Sequence, residues 1–238
     1  MSRTIVLFGA GSGLGAAVAR KYGLDGYNVV LVGRHISSLQ SLVTNLKAQG
    51  VGATTFIADL SMPEQAAAIA KTIINTVSSI DIVYYGPNQA DGFFPATALN
   101  LEKAQHFTNL YFLSLVAVIN EVLPQMRASK SGSILVSQGS TAVHPVAYLC
   151  GPGPAMAAAR NYLSVLHGEL KPEDVSLTMI TIGALIKDSS TYLSMQSASP
   201  GLEITPGQQI PVVDPAELAR SLWRASEEGV LEVFYPLP

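Results

Sequence analysis

Short apolar segments alternate with longer amphipathic ones along most of this chain. The segments Ile5–Phe8 and Val29–Val32 contain only apolar residues, as expected of strands that helices cover on both faces. The pattern predicts strands at Thr4–Phe8, Asn28–Val32, Ala53–Ala58, Asp81–Tyr85, Ser133–Ser137, Ser176–Ile182 and Leu231–Tyr235.

Between these strands the apolar positions recur at helical spacing. We predict helices near Gly13–Leu24, Ser37–Gln49, Pro63–Ser78, Thr97–Arg127, Pro154–Leu170 and Pro215–Glu228. Ser61-Met62-Pro63-Glu64 has the spacing of a capping box, and Asp214-Pro215-Ala216-Glu217 is a close variant of it. The strict alternation predicts an α/β fold with one parallel sheet of about seven strands and helices on both faces.

One long stretch, Lys187–Val213, shows neither periodicity and is rich in Ser, Pro, Gly and Gln. We predict a structureless loop there, which in an open α/β sheet lies over the carboxyl ends of the strands, where ligands bind. It is the predicted substrate loop. The sequence shows no internal repeat or linker, so residues 1–238 are expected to form a single domain.

Composition narrows the class of protein. With 48% hydrophobic and 13% charged residues, the chain of 238 residues can fill a large core. Its formal net charge of −3 offers no basic face, so we expect neither nucleic acid nor a membrane as partner. The most apolar long window, Leu110–Leu123, is too short to span a bilayer and predicts a buried helix. A single cysteine, Cys150, is typical of a reducing compartment, and a cytoplasmic protein is expected.

A glycine-rich turn directly follows the first strand and opens the first helix. Residues without a Cβ let backbone N–H groups approach a pyrophosphate, and the helix N-terminus adds partial positive charge. This context predicts a Rossmann-type, doubly wound sheet that binds a nicotinamide dinucleotide. The predicted contacts in the turn are Gly9, Gly11, Ser12, Gly13, Leu14 and Gly15.

The ends of the next two strands bear on the choice of cofactor. An NAD site places a carboxylate after the second strand, but here Gly33 is followed by Arg34 and His35. Arg34 can pair with a 2′-phosphate, which predicts NADP(H); the alternative is a surface arginine that caps the loop. Asp59 and Leu60 fit an adenine contact, with Asp59 accepting from the amine; Asp59 could equally be a loop carboxylate near a helix cap.

These residues resemble the short-chain dehydrogenase/reductase family over essentially the whole chain. Gly9, Gly13 and Gly15 match its Gly-x-x-x-Gly-x-Gly turn, and Arg34 looks like its NADP determinant. The resemblance implies a single Rossmann domain, NAD(P)H binding, redox chemistry on carbonyls or alcohols, and homodimers or homotetramers packed through two long helices. Further matches are Asp59-Leu60, Leu123-Pro124, Gly132 and Glu169-Leu170. Leu123-Pro124 would close a long helix.

The catalytic positions of that family carry other residues here. The tyrosine and lysine of its Tyr-x-x-x-Lys motif fall on Pro152 and Met156. Its serine falls on Gly139, with Ser137 and Ser140 close by.

Three more positions differ from the family's pattern, all at the end of the site where the nicotinamide would bind. The family's helix asparagine falls on Tyr111, although Asn109 is near. Its Asn-Asn-Ala-Gly appears as Tyr85-Gly86-Pro87-Asn88, in which Gly86 is a predicted cofactor contact. Its Pro-Gly appears as Ile182-Gly183, with Lys187 where a threonine would hold the carboxamide.

Carbonyl reduction needs an acid near the developing alkoxide, and neither proline nor methionine can donate a proton. Tyr111, Tyr148, His144 and Lys187 could in principle substitute, but each is more simply a packing or loop residue. Cys150 has no base placed by spacing, and the four histidines have no metal-ligand spacing. No catalytic residue is therefore assigned.

The segment that contains Pro152 also affects the following helix. Gly151-Pro152-Gly153-Pro154 cannot extend a helix backward, so the helix should begin near Pro154. The small residues Ala155–Ala159 would then form a face that permits close packing, as a dimer interface requires.

Three hypotheses remain open at this point. The first is an NADP(H)-binding protein with little or no dehydrogenase activity, acting as a sensor, regulator or partner subunit. The second is an NADPH-dependent reductase with a rearranged proton donor. The third is a scaffold that has lost the cofactor as well, which the intact turn and Arg34 oppose.

Overall fold

The computed structural model describes residues 3–89, 92–198, 203–205 and 208–236. Its main sheet contains strands β1 (Thr4–Phe8), β2 (Asn28–Gly33), β3 (Ala53–Ile57), β4 (Ile82–Tyr85), β5 (Gly132–Gly139), β6 (Val175–Ile182) and β11 (Glu232–Tyr235). Four short strands lie between the last two: β7 (Leu185–Ile186), β8 (Glu203–Thr205), β9 (Gln208–Gln209) and β10 (Val212–Val213).

The helices are α1 (Leu14–Leu24), α2 (Ile36–Lys47), α3 (Pro63–Thr76), α4 (Leu101–Thr108), α5 (Ser114–Ser129), α6 (Gly153–Leu170), α7 (Ser190–Ala198) and α8 (Pro215–Glu227). A π-helical turn at Asn109–Leu113 joins α4 to α5. The seven main strands are confirmed, with ends that shift most at β5, which runs to Gly139 rather than Ser137.

The seven-stranded sheet is parallel, in the order β11-β6-β5-β4-β1-β2-β3. Helices α3 to α6 bury one of its faces, and α1, α2 and α8 bury the other. All residues of β1 are buried, as are the four apolar residues Val29–Val32 of β2. The predicted doubly wound Rossmann-type sheet is confirmed.

The predicted helix Thr97–Arg127 is wrong in its start and its continuity. Helix α4 begins only at Leu101, because the Asn100 side chain accepts the Lys103 backbone N–H and caps it there. At the π turn the Leu110 carbonyl accepts a hydrogen bond from the Tyr85 hydroxyl, at 2.6 Å. A side chain of the sheet thus bonds to the helix where its regular hydrogen-bond ladder is interrupted.

Leu123-Pro124 does not close the helix, which continues to Ser129. Pro124 removes one backbone donor, but it lies on the exposed side of α5, where water can satisfy the free carbonyl.

Helices α4 and α5 with the π turn form one apolar rod, Leu101–Ser129, long and apolar enough to cross a membrane by length and composition alone. In this fold it packs lengthwise against the sheet, and Leu115, Val118, Ile119 and Val122 are buried in the core. The rod therefore has the position of a core helix.

The two capping predictions have opposite outcomes. Ser61 does not cap α3, whose N-cap is Met62, because the backbone N–H and hydroxyl of Ser61 both donate to the Asp59 carboxylate at 2.9 Å. Asp214 does cap α8: its carboxylate accepts the Ala216 N–H at 2.7 Å.

The prediction that Lys187–Val213 is structureless is wrong. Helix α7 occupies Ser190–Ala198, and strand β10 pairs with β7. The Ser189 hydroxyl accepts the Tyr192 N–H at 3.1 Å and caps α7, a local signal that hydrophobic periodicity misses in so short a helix. Residues 199–202, 206 and 207 of this stretch lie outside the described residues.

Candidate functional site

The sheet order places β1 between β2 and β4, which is where the chain reverses its direction of winding. In open α/β sheets, ligands bind outside the carboxyl ends of the strands at such a switch point. The predicted glycine turn lies there, and we call the space outside these strand ends the cleft. Its Gly9 and Ala10 amides both donate to the Val32 carbonyl at 3.0 Å, which fixes the turn to the end of β2.

A glycine is required at position 9 both by the local backbone conformation and by the atoms that lie beside it. Its φ is +92°, and a Cβ built on it would lie 2.5 Å from the Pro87 backbone nitrogen and 2.7 Å from the Gly86 carbonyl carbon. The chain leaving β4 therefore packs directly on the start of the turn. This contact gives Gly86 and Pro87 a structural role beside the predicted cofactor contact at Gly86.

The opposite end of the turn is equally tight. Gly13 has a φ of +80°, and a Cβ there would lie 3.0 Å from the Ser189 Cβ. At Gly15 a Cβ would lie 3.2 Å from the Gly9 carbonyl oxygen, so the helix packs on its own turn. A Cβ at Gly11, in contrast, would have no neighbour nearer than 4.0 Å.

The open middle of the turn is where an anion can approach. Ser12 is exposed, and α1 begins at Leu14 with no side chain bonded to its first-turn amides. Free amide groups at a helix N-terminus attract negative charge, and the first turn of α1 carries no acidic residue to compete. A dinucleotide phosphate therefore fits the Gly11–Leu14 face.

Arg34 and Asp59 lie near each other beyond the ends of β2 and β3. Partial burial would raise the pKa of the Asp59 carboxyl, but hydrogen bonds from Ser61 and the nearby Arg34 guanidinium hold it below its ordinary value. Arg34 itself is exposed, so its guanidinium can reach a ligand. His35 is the exposed N-cap of α2, and Leu60 is buried in the core. The structure thus brings Arg34 and Asp59 to one edge of the cleft.

The positions assigned to the family's tyrosine and lysine are buried. Pro152 packs against the loop after β4, 3.7 Å from a Cβ built at Gly92. The Met156 sulfur accepts the Gly139 backbone N–H at 3.3 Å, so a neutral thioether lies against the end of β5. The backbone is close-packed here as well, since a Cβ at Gly151 would lie 1.9 Å from the Gly92 carbonyl oxygen.

The other residues considered as proton donors differ in their exposure to solvent. Tyr111 is 8% exposed, and burial raises the pKa of its hydroxyl to about 12. Tyr148 is 76% exposed and adopts a left-handed φ of +67°, so it is not the packing residue expected. His144 and Lys187 are exposed loop residues, as expected.

Other small and polar residues near this end have structural partners. Ser137 shares a hydrogen bond with the Tyr84 hydroxyl at 2.8 Å. Cys150 is half-buried, and its backbone N–H donates to the Phe94 carbonyl. Ala155 and Ala159 are buried in this chain's own core, whereas Ala157 is half-buried and Ala158 is exposed, so dimer packing through Ala155–Ala159 stays a prediction. Within the described part of the chain, no group of His, Cys, Asp and Glu could hold a metal ion.

A feature that the sequence did not reveal closes one side of the cleft. The Asn88 amide nitrogen, just after β4, donates to the Thr191 hydroxyl at 2.8 Å and lies 3.4 Å from the Ser190 hydroxyl. The loop after β4 is therefore bonded to the N-terminus of α7, and both segments also contact the glycine turn.

Comparison with known proteins yields one family. The profile described as short chain dehydrogenase matches residues 3–196. Among curated proteins, the chain is similar to serine 3-dehydrogenase from Agrobacterium fabrum strain C58, with 30% identity over 185 residues, 77% of this chain and 72% of that protein.

Solved structures agree on the fold. An alcohol dehydrogenase from the archaeon Thermococcus sibiricus, complexed with 5-hydroxy-NADP, superposes with a TM-score of 0.78 at 22% identity, covering 98% of this chain and 96% of that one. A 3-oxoacyl (acyl-carrier-protein) reductase from Agrobacterium tumefaciens C58 with NADP bound gives 0.82 at 20% identity, covering 98% and 93%.

Proposed function

Because the chain belongs to the short-chain dehydrogenase family, we propose that it binds NADP(H) and has no ordinary dehydrogenase activity. The observation that carries the binding proposal is the turn itself. Its ends are closed by Pro87 and Ser189, while the Gly11 face and the first amides of α1 stay open. NADP-bound structures among its neighbours support the same cofactor.

The pyrophosphate, the 2′-phosphate and the adenine of the cofactor each have a matching group in this chain. The pyrophosphate would be held by the amides of Gly11–Leu14 and the N-terminus of α1. The Arg34 guanidinium would pair with the 2′-phosphate, and Asp59 would accept from the adenine amine. When bound, the cofactor supplies or accepts a hydride.

The proposal of lost activity rests on the apolar end of the cleft. At Met156 a thioether bonded to the Gly139 amide offers neither a proton nor a positive charge. Pro152 is packed against Gly92 and has no side-chain donor. A cofactor-dependent sensor, regulator or partner subunit fits this arrangement better than a carbonyl reductase does.

The alternative is an NADPH-dependent carbonyl oxidoreductase with a rearranged proton donor. The observation in its favour is Tyr148, whose side chain is exposed in a strained backbone conformation four residues before Pro152. Strained residues concentrate at functional sites.

A titration tests the binding proposal. NADPH should bind more tightly than NADH, because only the phosphorylated cofactor can pair with Arg34. Arg34→Ala should weaken NADPH binding at least about tenfold and leave NADH binding nearly unchanged. The measurement is calorimetric or fluorescence titration, with Arg20→Ala, a change at an exposed arginine on α1, as the matched control. Equal affinities of the native protein for both cofactors would rule out the NADP assignment.

A second arm of the same experiment addresses activity. Protein saturated with NADPH should show no oxidation of it over a panel of ketones, aldehydes and quinones. Turnover that disappears in Tyr148→Phe or Tyr111→Phe would establish the alternative function instead.

We also propose that the protein is a cytoplasmic homodimer or homotetramer. The single cysteine supports a reducing compartment, and the apolar outer surface of α5 supports self-association.

A further inference from the structure

Four segments bring polar side chains to the edge of the cleft where the adenosine of the cofactor is proposed to bind. Arg34 follows β2, Asp59 follows β3, Gln89 lies in the loop after β4, and His106 lies on α4. His106 is half-buried, and its Nε2–H donates to the Gln89 side-chain oxygen at 2.6 Å. This bond ties His106 to the loop that packs on the glycine turn.

The charges of Arg34 and His106 both act on the Asp59 carboxyl. Partial burial would raise the pKa of this carboxyl, but hydrogen bonds from Ser61 and the charges of Arg34 and His106 hold it below its ordinary value. Both Ser61 bonds go to the same oxygen, Oδ1. Neither Arg34 nor His106 is in an ion pair with any of the described residues, so both remain available to a ligand.

The balance of charge at this edge gives His106 a role. Asp59 is ionised at neutral pH, and its negative charge offsets the positive charge of Arg34. A phosphate monoester carries about −1.5 to −2 charges at pH 7, and Asp59 repels it. Arg34 and Asp59 together therefore offer little net attraction to a 2′-phosphate.

A protonated His106 supplies a further positive charge. Its bond to Gln89 does not oppose protonation, because Nε2 donates in both the neutral and the charged ring. On its own helix, the exposed Glu102 and Lys103 lie one turn earlier and have opposite charges. On the π turn, burial raises the pKa of the Tyr111 hydroxyl to about 12, so Tyr111 stays neutral where histidine titrates.

We propose that His106 is a second specificity-determining residue for the phosphorylated cofactor, and that its protonated imidazole offsets Asp59 so that Arg34 can hold the 2′-phosphate. The inference rests on the proposed binding of NADP(H) and adds a pH dependence to it. Preference for NADPH over NADH should rise as pH falls and histidine gains a proton. One additional, partly exposed charge near the phosphate should change affinity about threefold.

The first test needs no ligand. Carbon NMR follows the titration of the Asp59 carboxyl in the native protein, His106→Gln and His106→Lys. Glutamine keeps a donor for Gln89 but has no charge, so the pKa of Asp59 should rise in His106→Gln. Lysine keeps the charge, and Asp59 should titrate nearly as in the native protein. An unchanged Asp59 titration in His106→Gln would overturn the charge interaction on which the inference stands.

The second test measures dissociation constants of NADPH and NADH by calorimetric titration at about pH 6.5 and about pH 8.5. At the lower pH, the preference for NADPH should be about threefold greater in the native protein than in His106→Gln, and at the higher pH the two should be equal. His106→Lys should keep the greater preference at both. NADH binding should be the same in all three proteins. Comparison with His106→Gln cancels the titration of the 2′-phosphate itself, which all of them share.

Two other histidines show whether the pH dependence belongs to His106. His167→Gln, at a half-buried histidine of α6 that is hydrogen-bonded to the Leu177 backbone carbonyl, is the matched control and should keep the native pH dependence. His35 is exposed beside Arg34 and titrates in the same range. A pH dependence that is lost in His35→Gln and kept in His106→Gln would overturn the assignment.

The outcomes separate the two proposals. A native protein that prefers NADPH, with a preference that depends neither on pH nor on His106, would overturn this inference and leave the proposed function standing. Failure of the native protein to bind NADPH would refute the proposed function and with it the role of His106, even where the Asp59 titration responds as expected.

Discussion

Gly9 and Gly26 have nearly the same backbone φ, +92° and +87°, but opposite surroundings. A Cβ at Gly26 would meet no atom within 4 Å, whereas at Gly9 it would collide with the Pro87 backbone. Gly26→Ala should therefore cost only the backbone strain, about 1 kcal/mol of unfolding free energy. Gly9→Ala adds a clash with main-chain atoms that cannot rotate away and should cost at least about 3 kcal/mol.

Urea denaturation of the two variants beside the native protein measures this difference. Equal losses of unfolding free energy in the two variants would mean that the contact between Gly9 and the chain after β4 does not contribute to stability.

At the residue scale, the sequence predicted the glycine turn because its strand, turn and helix are contiguous. Arg34 and Asp59 were also predicted from local sequence, because each lies just after a strand and the carboxyl ends of parallel strands lie at one edge of the sheet. The contacts of Gly13 with Ser189 and of Asn88 with Thr191 were missed because their partners are far apart in sequence. No local pattern carries that information.

One ion pair ties α6 to the edge strand β11. The Arg160 guanidinium donates to the Glu232 carboxylate at 2.6 Å, and the Thr181 hydroxyl also donates to that carboxylate at 2.6 Å. Partial burial would raise the pKa of Glu232, but these hydrogen bonds hold it below its ordinary value. Glu232→Gln should therefore lower the unfolding free energy at neutral pH by about 2 kcal/mol, less than for a fully buried pair because Arg160 is partly exposed.

The effect has a defined pH dependence. A carboxyl with a lowered pKa in the folded state stabilises fully above its unfolded pKa, and loses that contribution as pH falls through the folded pKa. The difference between native protein and Glu232→Gln should be full at neutral pH and shrink below about pH 4.3. Arg220→Gln, on an exposed residue of α8, is the control. A difference that is constant with pH would contradict the role of ionised Glu232.

At the element scale, the apolar pattern located the seven main strands well, because β1, β4 and most of β2, β5 and β6 are buried, although the edge strands β3 and β11 are only partly buried. Periodicity did not predict the interruption of the helix before β5, where the Leu110 carbonyl in the π turn accepts a hydrogen bond from the Tyr85 hydroxyl of strand β4. It also failed for α7, which has too few apolar positions to show a period.

On the scale of the whole molecule, an open groove of about 620 Å³ lies on the outer face of α5 beside the N-terminus of α3. Apolar side chains line much of it, and Met62 and Leu113 are 47% and 38% exposed. If this face is the proposed interface, Leu113→Glu should shift the protein from dimer or tetramer to monomer, because it places a charge against an apolar partner surface.

Light scattering at several concentrations measures the shift. Leu24→Glu, on exposed Leu24 of α1 across the sheet, should leave the assembly intact. A native protein that is monomeric at every concentration would refute the oligomer proposal.

The contacts that close the two ends of the glycine turn also constrain the order in which the protein folds. Gly9 reaches its partner Pro87 only when β1 has paired with β4, and Gly13 reaches Ser189 only when the chain after β6 is in place. Contacts between such distant segments form late, after loop closure has been achieved. The turn Gly9–Gly15 is therefore formed early in synthesis but receives its last contacts only when the chain after β6 has folded.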